Sequence, residues 1–197
     1  QLIACVPNFS EGNNLQIIER IVEEIKSVEG VKVIDVDSGK ATNRTVVTFV
    51  GAPEQVCDAA FRAVKKAAEL IDMRKHKGEH PRFGATDVLP LVPIKGISME
   101  EVSNYAKKLG QRIGDELEIP VYCYEFAATE EKRRNLANCR SGEYEGLPQK
   151  LEDPAWQPDF GPTTWSEKIQ KTGATAVSAR HFLVAYNINL NTTSTRW

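Results

Sequence analysis

Cysteine is scarce and dispersed: four in 197 residues, at positions 5, 57, 123 and 139, with no CxxC pair. That excludes a disulfide framework as the organising principle and predicts reduced thiols in a cytoplasmic protein. On that expectation the Asn-x-Ser/Thr matches at Asn8, Asn43 and Asn191 carry no glycan. No apolar run approaches the ~20 residues of a membrane-spanning helix. The opening Gln1-Leu2-Ile3-Ala4-Cys5-Val6-Pro7 has no basic leader and meets proline too early for a signal peptide. An initiator methionine is lacking too, which reads as a chain processed or cut from a larger frame. Basic charge is not in excess either: 25 Lys+Arg against 27 Asp+Glu leave a net −2. That argues against generic binding to nucleic acid or acidic membranes, so attraction for an anionic ligand must be local. Internal repeats and low-complexity tracts are absent.

What is present is an ordinary globular balance, 41% hydrophobic and 26% charged, enough to bury one core. Leu2 to Val6 reads as a buried strand closed by Pro7. Ile17, Ile18, Ile21, Val22 and Ile25 fall at helical spacing, with Asn13 or Asn14 as N-cap and Gly30 as the stop. Val31–Val36 and Val46–Val50 read as strands separated by Ser38-Gly39 turn chemistry. Pro53 opens a helix that Val56, Ala59, Ala60, Ala63, Val64 and Ala67 carry to about Ile71. Val88–Ile94 is a further strand, which Pro90 and Pro93 should confine to a sheet edge or break. The order β-α-β-β-α-β predicts an α+β domain of ferredoxin-like arrangement, with both helices on one face.

Beyond it come an added helix over 98–118, opened by the Ser98/Glu101 capping-box spacing, and an added strand over Val121–Phe126. A charged helix is expected near 129–138. Residues 147 to 173 read as a long proline-rich loop, functional or a linker. Phe182–Leu190 has a strand pattern close to the end of the chain, which suggests the start of a further module.

Two of the three histidines stand four apart in Lys75-His76-Lys77-Gly78-Glu79-His80-Pro81-Arg82. A zinc site of the His-x-x-Glu-His type needs both on one helical face. Pro81 disfavours helix at His80 and Gly78 weakens it between the two, so no metal is expected. A solvated loop histidine amid surface cations is the plain alternative. The third reading is acid/base catalysis: an imidazole titrating near neutrality, flanked by cations able to hold a carboxylate. Gly78 and Gly84 would then let backbone approach a ligand. The residues alone leave these readings open.

A family resemblance narrows them. Val6-Pro7-Asn8-Phe9-Ser10-Glu11-Gly12, Asp35-Val36-Asp37-Ser38-Gly39 with Thr42-Asn43-Arg44-Thr45, and Gly78-Glu79-His80-Pro81-Arg82-Phe83-Gly84-Ala85 with Asp87 resemble glutamate formiminotransferases in family order. So do Gly142-Glu143-Tyr144-Glu145, Asp159-Phe160-Gly161-Pro162 and Asn187-Ile188-Asn189-Leu190. The resemblance implies the N-terminal subdomain over residues 1–178 and the start of a C-terminal subdomain over 179–197. It implies a transferase that moves the formimino group of N-formimino-L-glutamate to N5 of tetrahydrofolate in histidine degradation. His80 would be the catalytic acid/base. Folate, as co-substrate, would meet the stretch Gly161, Pro162, Thr163, Thr164, Trp165 to Gly173. A homodimer is expected, as is a cleft completed by the C-terminal subdomain; animal relatives carry a fused cyclodeaminase.

The chemistry suits the residues. N5 must lose a proton and the departing glutamate nitrogen must gain one, which a single imidazole can do in turn. Arg82, Lys77 and Arg44 are candidate carboxylate anchors, and Asn8 and Asn43 flank strand ends within reach of substrate. Asp37 or Glu79 is expected to orient His80, with Asp37 also a candidate substrate anchor or a cap for the following turn. Two other classes stand beside this one. A subdomain inactive without its other half would keep the fold alone. RNA binding on the sheet is disfavoured, because Arg44 to Val50 lacks the stacking aromatics.

Overall fold

The computed structural model describes residues 1–183. The first strand is split in two, β1 (Leu2–Cys5) and β2 (Asn8–Phe9), where Val6-Pro7 interrupts the line. β3 (Lys32–Gly39), β4 (Arg44–Gly51) and β5 (Thr86–Lys95) follow, with α1 (Leu15–Lys26) and α2 (Pro53–Leu70) between them. β3 pairs with β4, β4 with the β1/β2 line, and that line with β5, all antiparallel. Counting β1/β2 as one strand, this is the order second-third-first-fourth, the ferredoxin-like arrangement expected from the sequence.

The helices begin where local chemistry satisfies their free N–H groups. Asn14 caps α1 by accepting from the amides of Gln16 and Ile17, and Pro53 opens α2 at a position needing no donor. Ser98 caps α3 (Met99–Leu117). The three helices cover one face of the sheet, burying Ile21, Ile25, Val56, Ala60, Val64, Val102 and Ile113 against Ile3, Phe49, Leu89 and Leu91.

The structure corrects several expectations. β5 is interior, with β1/β2 on one side and β7 (Thr175–Ala179) parallel on the other. Its prolines are tolerated because the ladder is already broken beside them. Pro90 faces the Val6-Pro7 interruption and only accepts, from the Val6 amide. Pro93 lies at the register shift between Leu2 and Ile3, beyond the last residue paired with β7. The expected strand after α3 is β6 (Val121–Glu125), but two strands extend the sheet, not one. β7 inserts between β5 and β6, parallel to both. Thr-Ala-Val-Ser-Ala is too short and too small-residued to announce itself by alternation, and all five residues are buried.

The charged helix near 129–138 is instead a 3-10 turn at Glu131–Arg133 and a four-residue helix, α4 (Leu136–Cys139), restarted by the Asn135 cap. Arg133 closes the 3-10 turn with its side chain buried in an ion pair with Asp159, 3.4 Å away. Residues 147–173, read as loop, contain α5 (Leu147–Glu152), a 3-10 turn at Pro154–Trp156 and α6 (Glu167–Thr172). Residues 136–165 cover the second face of the sheet over β5, β7 and β6, where Phe83, Val88, Tyr122, Tyr124, Cys139 and Leu147 form a smaller core. At the β3 edge of the sheet the cover is thin, with Ile34 58% and Val36 41% exposed. The strand expected over Phe182–Leu190 lies outside the described residues from position 184 on.

Candidate active site

The site forms at one end of the sheet, where β2 ends, β4 and β5 begin, and the loop from 73 to 85 crosses. A cleft there is lined by Asn8, Ser10, Thr42, Arg44, His76, His80, Arg82 and Asp87, among others. Gly78 and Gly84 hold the crossing loop down. A Cβ on Gly84 would lie 2.0 Å from the Ala174 carbonyl, and one on Gly78 would lie 2.3 Å from that of Thr42. Their close approach is therefore chain to chain and not, as expected, chain to ligand. Asn43, at φ 49°, ties three loops together. Its carboxamide oxygen accepts from the Gly12 amide and from Asn13, and its nitrogen donates to the Lys77 carbonyl.

His80 sits half-buried above this knot. A carbonyl can only accept, so Nδ1 carries the proton it donates to Pro81 O at 2.6 Å. Nε2 is then the lone-pair nitrogen, and a guanidinium N–H of Arg44 donates to it. Burial, and then the positive charges of Arg44 and Arg140, hold its pKa below the usual histidine value, against the pull of the Pro81 carbonyl. The ring is thus a neutral base with Nε2 turned to the cleft. Its two nitrogens meet Pro81 and Arg44, so neither Asp37 nor Glu79 orients it as expected. Asp37, exposed near the end of β3, acts on Arg44 through charge.

His76, also read as a metal candidate, is buried and holds the neighbouring arginine. Its Nε2–H donates to the Asn43 carbonyl at 2.8 Å, and its Nδ1 accepts from Arg82 Nε at 3.0 Å. The Arg82 fork then grips Glu145 at 2.6 and 3.2 Å. Among the described residues no group of three or more His, Cys, Asp or Glu side chains is placed to hold a metal ion.

Sequence reasoning missed the roles of Asp87 and Arg140. Asn8 faces Val88 and Phe9 faces Thr86, so Asp87 is the extra residue of a β-bulge on β5. Its buried carboxylate lies 3.1 Å from Arg140, and burial pushes its pKa up to about 6. Arg140 stands at the end of α4 on a segment pinned by buried Lys150. That ammonium donates to the Asn138 and Ser141 carbonyls and lies 4.4 Å from the Trp156 ring centre. Burial lowers it to about 8. No spacing rule links Asp87 to Arg140, fifty-three positions on; only the fold does.

The stretch from Gly161 to Gly173 divides. Gly161 packs on the Ile119 carbonyl near the start of β6, with Pro162 partly buried and Thr163 and Thr164 exposed. Trp165 meets Tyr144 in a tilted ring contact, the Tyr144 amide donates to the Arg82 carbonyl, and Gly173 abuts Phe83 and Gly84. Only its later part therefore reaches the histidine loop.

The chain is thus an α+β domain with two histidines, three arginines and a bulged aspartate gathered at one end of its sheet. A family described as the formiminotransferase domain, N-terminal subdomain, matches residues 2–180, and the chain belongs to it. The likeness extends to particular proteins. The chain is 52% identical over 193 residues to formimidoyltransferase-cyclodeaminase of Rattus norvegicus, covering 98% of this chain and 35% of that protein. It is 48% identical to glutamate formimidoyltransferase of Streptococcus pyogenes serotype M1, covering 98% of this chain and 63% of that protein. For the protein of that name from Thermoplasma acidophilum the identity is 47% over 195 residues. The chain thus spans about a third of the cyclodeaminase-bearing relatives and under two thirds of the others.

Proposed function

We propose that the protein of which this chain is part transfers the formimino group of N-formimino-L-glutamate to N5 of tetrahydrofolate, with His80 as acid and base in turn. The observation that carries this is the state of His80. It is neutral by environment, its tautomer is set by Pro81, and its lone-pair nitrogen Nε2, held by Arg44, belongs to the cleft lining in a chain of this family. Nε2 takes the proton from N5 as N5 attacks the amidine carbon, then returns it to the glutamate nitrogen as that bond breaks. Arg44 leaves Nε2 when substrate enters and pairs with a substrate carboxylate, which Asp37 assists by charge. Arg82 supports the loop through His76 and offers its fork if a substrate carboxylate displaces Glu145. Asn8 contributes from the end of β2.

On this reading the stretch from Gly161 to Gly173 meets folate, chiefly through Trp165 and Gly173. The remainder of the protein, starting near residue 179, closes the cleft, and the assembly is a cytoplasmic homodimer. The relatives named glutamate formimidoyltransferase support the donor half of this reaction. The test is formimino transfer by the full-length protein and its His80→Asn variant. The substitution is expected to lower kcat by about 100- to 10,000-fold with folding intact. Unchanged turnover would overturn the mechanism.

A further inference from the structure

Arg82 is held by three consecutive residues, and each takes a different group. The Glu143 carboxylate accepts from the Arg82 amide at 3.2 Å, and the Tyr144 amide donates to the Arg82 carbonyl at 3.0 Å. Glu145 takes the guanidinium fork. His80 is two positions away, so the clasp also fixes the loop that carries the imidazole. Nothing in the mechanism above uses Glu143.

The backbone of Glu143 lies in the left-handed region at φ 53°, directly after Gly142 at φ 85°. A side chain with a Cβ is disfavoured there, and glutamate lacks the short amide by which asparagine offsets the cost. Glycine would fit the backbone better; what glutamate adds is its carboxylate.

The charges around His80 show what that carboxylate does. Arg44 and Arg82 line the cleft, and Arg140 pairs with Asp87 beside it. Arg44 and Arg140 both oppose a positive charge on the ring, and Glu143 acts in the other direction. Asp87 is engaged by Arg140 at 3.1 Å and by the Phe83 amide, and Glu145 by Arg82. His76 is tied to Asn43 and Arg82. Glu143 bonds an amide rather than a cation, so its charge stays available to the ring.

A site that holds carboxylates is cationic, and a cationic site resists the imidazolium that proton transfer creates. We propose that Glu143 is a positioning residue for His80: it fixes the loop through the Arg82 amide and supplies the negative charge against which the imidazolium forms. This rests on the functional reading above, in which Nε2 takes the N5 proton and returns it to the glutamate nitrogen. Glu143 exchanges no proton in either step.

The experiment uses full-length protein and two variants. Glu143→Gln keeps an oxygen for the Arg82 amide and removes the charge; Glu143→Gly removes the side chain and suits the backbone. In both, the His80 NMR titration is expected to move to lower pH, with the signal assigned by its loss in His80→Asn. The acid limb of kcat/KM should follow, since a base of lower pKa persists to lower pH, and kcat on the plateau should fall about tenfold. A merely structural Glu143 would lower thermal stability and leave the titration unmoved. A folded variant with the wild-type titration and acid limb overturns the inference. So does failure of both variants to fold, which would make Glu143 a structural residue. The titration needs no turnover, so a wild type that transfers no formimino group is read separately. That result overturns the functional reading, while the titration still decides whether Glu143 sets the state of His80.

Discussion

At the scale of single residues, the site is a set of side chains that hold one another in definite protonation states. His80 is kept neutral by burial and then by the cations Arg44 and Arg140, with Glu143 and the Pro81 carbonyl pulling the other way. Removing Arg44 takes away a positive charge and opens the pocket to water, and both changes favour the protonated ring. Arg44→Gln should therefore move the His80 titration upward. The acid limb of kcat/KM should shift to higher pH with it, because the base is lost as pH falls through the raised value. Histidine NMR titration of the wild type and variant checks the first, and a pH profile the second. A His80 titration unmoved by the substitution would show that Arg44 does not set its state. The histidine and the arginines were legible in the sequence as a cluster of suitable types. Their pairings were not, since Arg82 meets His76 and Glu145, and Arg44 meets His80, only after loops far apart in the chain come together.

At the scale of elements, the periodic helices and the β-branched strand β4 followed the sequence reading closely, because each buries a regular face. β5 and β7 did not. Proline in β5 signals an edge only if the neighbouring ladder is continuous, and here a break in the partner strand removes the conflict. β7 consists of small residues whose burial depends on what packs above and below, which a local pattern cannot carry. The seam between the histidine loop and β7 is the tightest backbone approach around the site. Gly84→Ala would drive a Cβ into the Ala174 and Thr172 carbonyls, 2.0 and 2.8 Å away. Backbone on both sides leaves little room to yield, so a loss of about 3 kcal/mol or more is expected. At this chain length that lowers Tm by roughly 6–12 °C, readable by thermal denaturation. A variant as stable as the wild type would mean that the seam is looser than drawn.

At the scale of the molecule, the sheet is covered unevenly. Helices α1 to α3 close one face, and residues 136–165 close the other over β5, β7 and β6. At the β3 edge the cover is thin, with Ile34 and Val36 exposed. The cleft lies at one end of this sheet, half-bounded by loops. If the rest of the protein supplies the other wall, residues 1–180 alone should bind tetrahydrofolate at least tenfold more weakly than the full-length protein, as calorimetric titration would measure. Equal affinity would place the whole folate site in this subdomain.

The position of β7 also has a consequence for biosynthesis. It is the last described strand to be made, yet it lies between two strands made long before it. A ribosome releasing the chain in order therefore presents β5 and β6 with facing edges unpaired until residues 175–179 emerge. For that interval the nascent chain carries an open slot of strand width, the kind of edge that recruits neighbouring chains. The slot admits a parallel strand, and the chain's own next segment is the nearest one able to fill it.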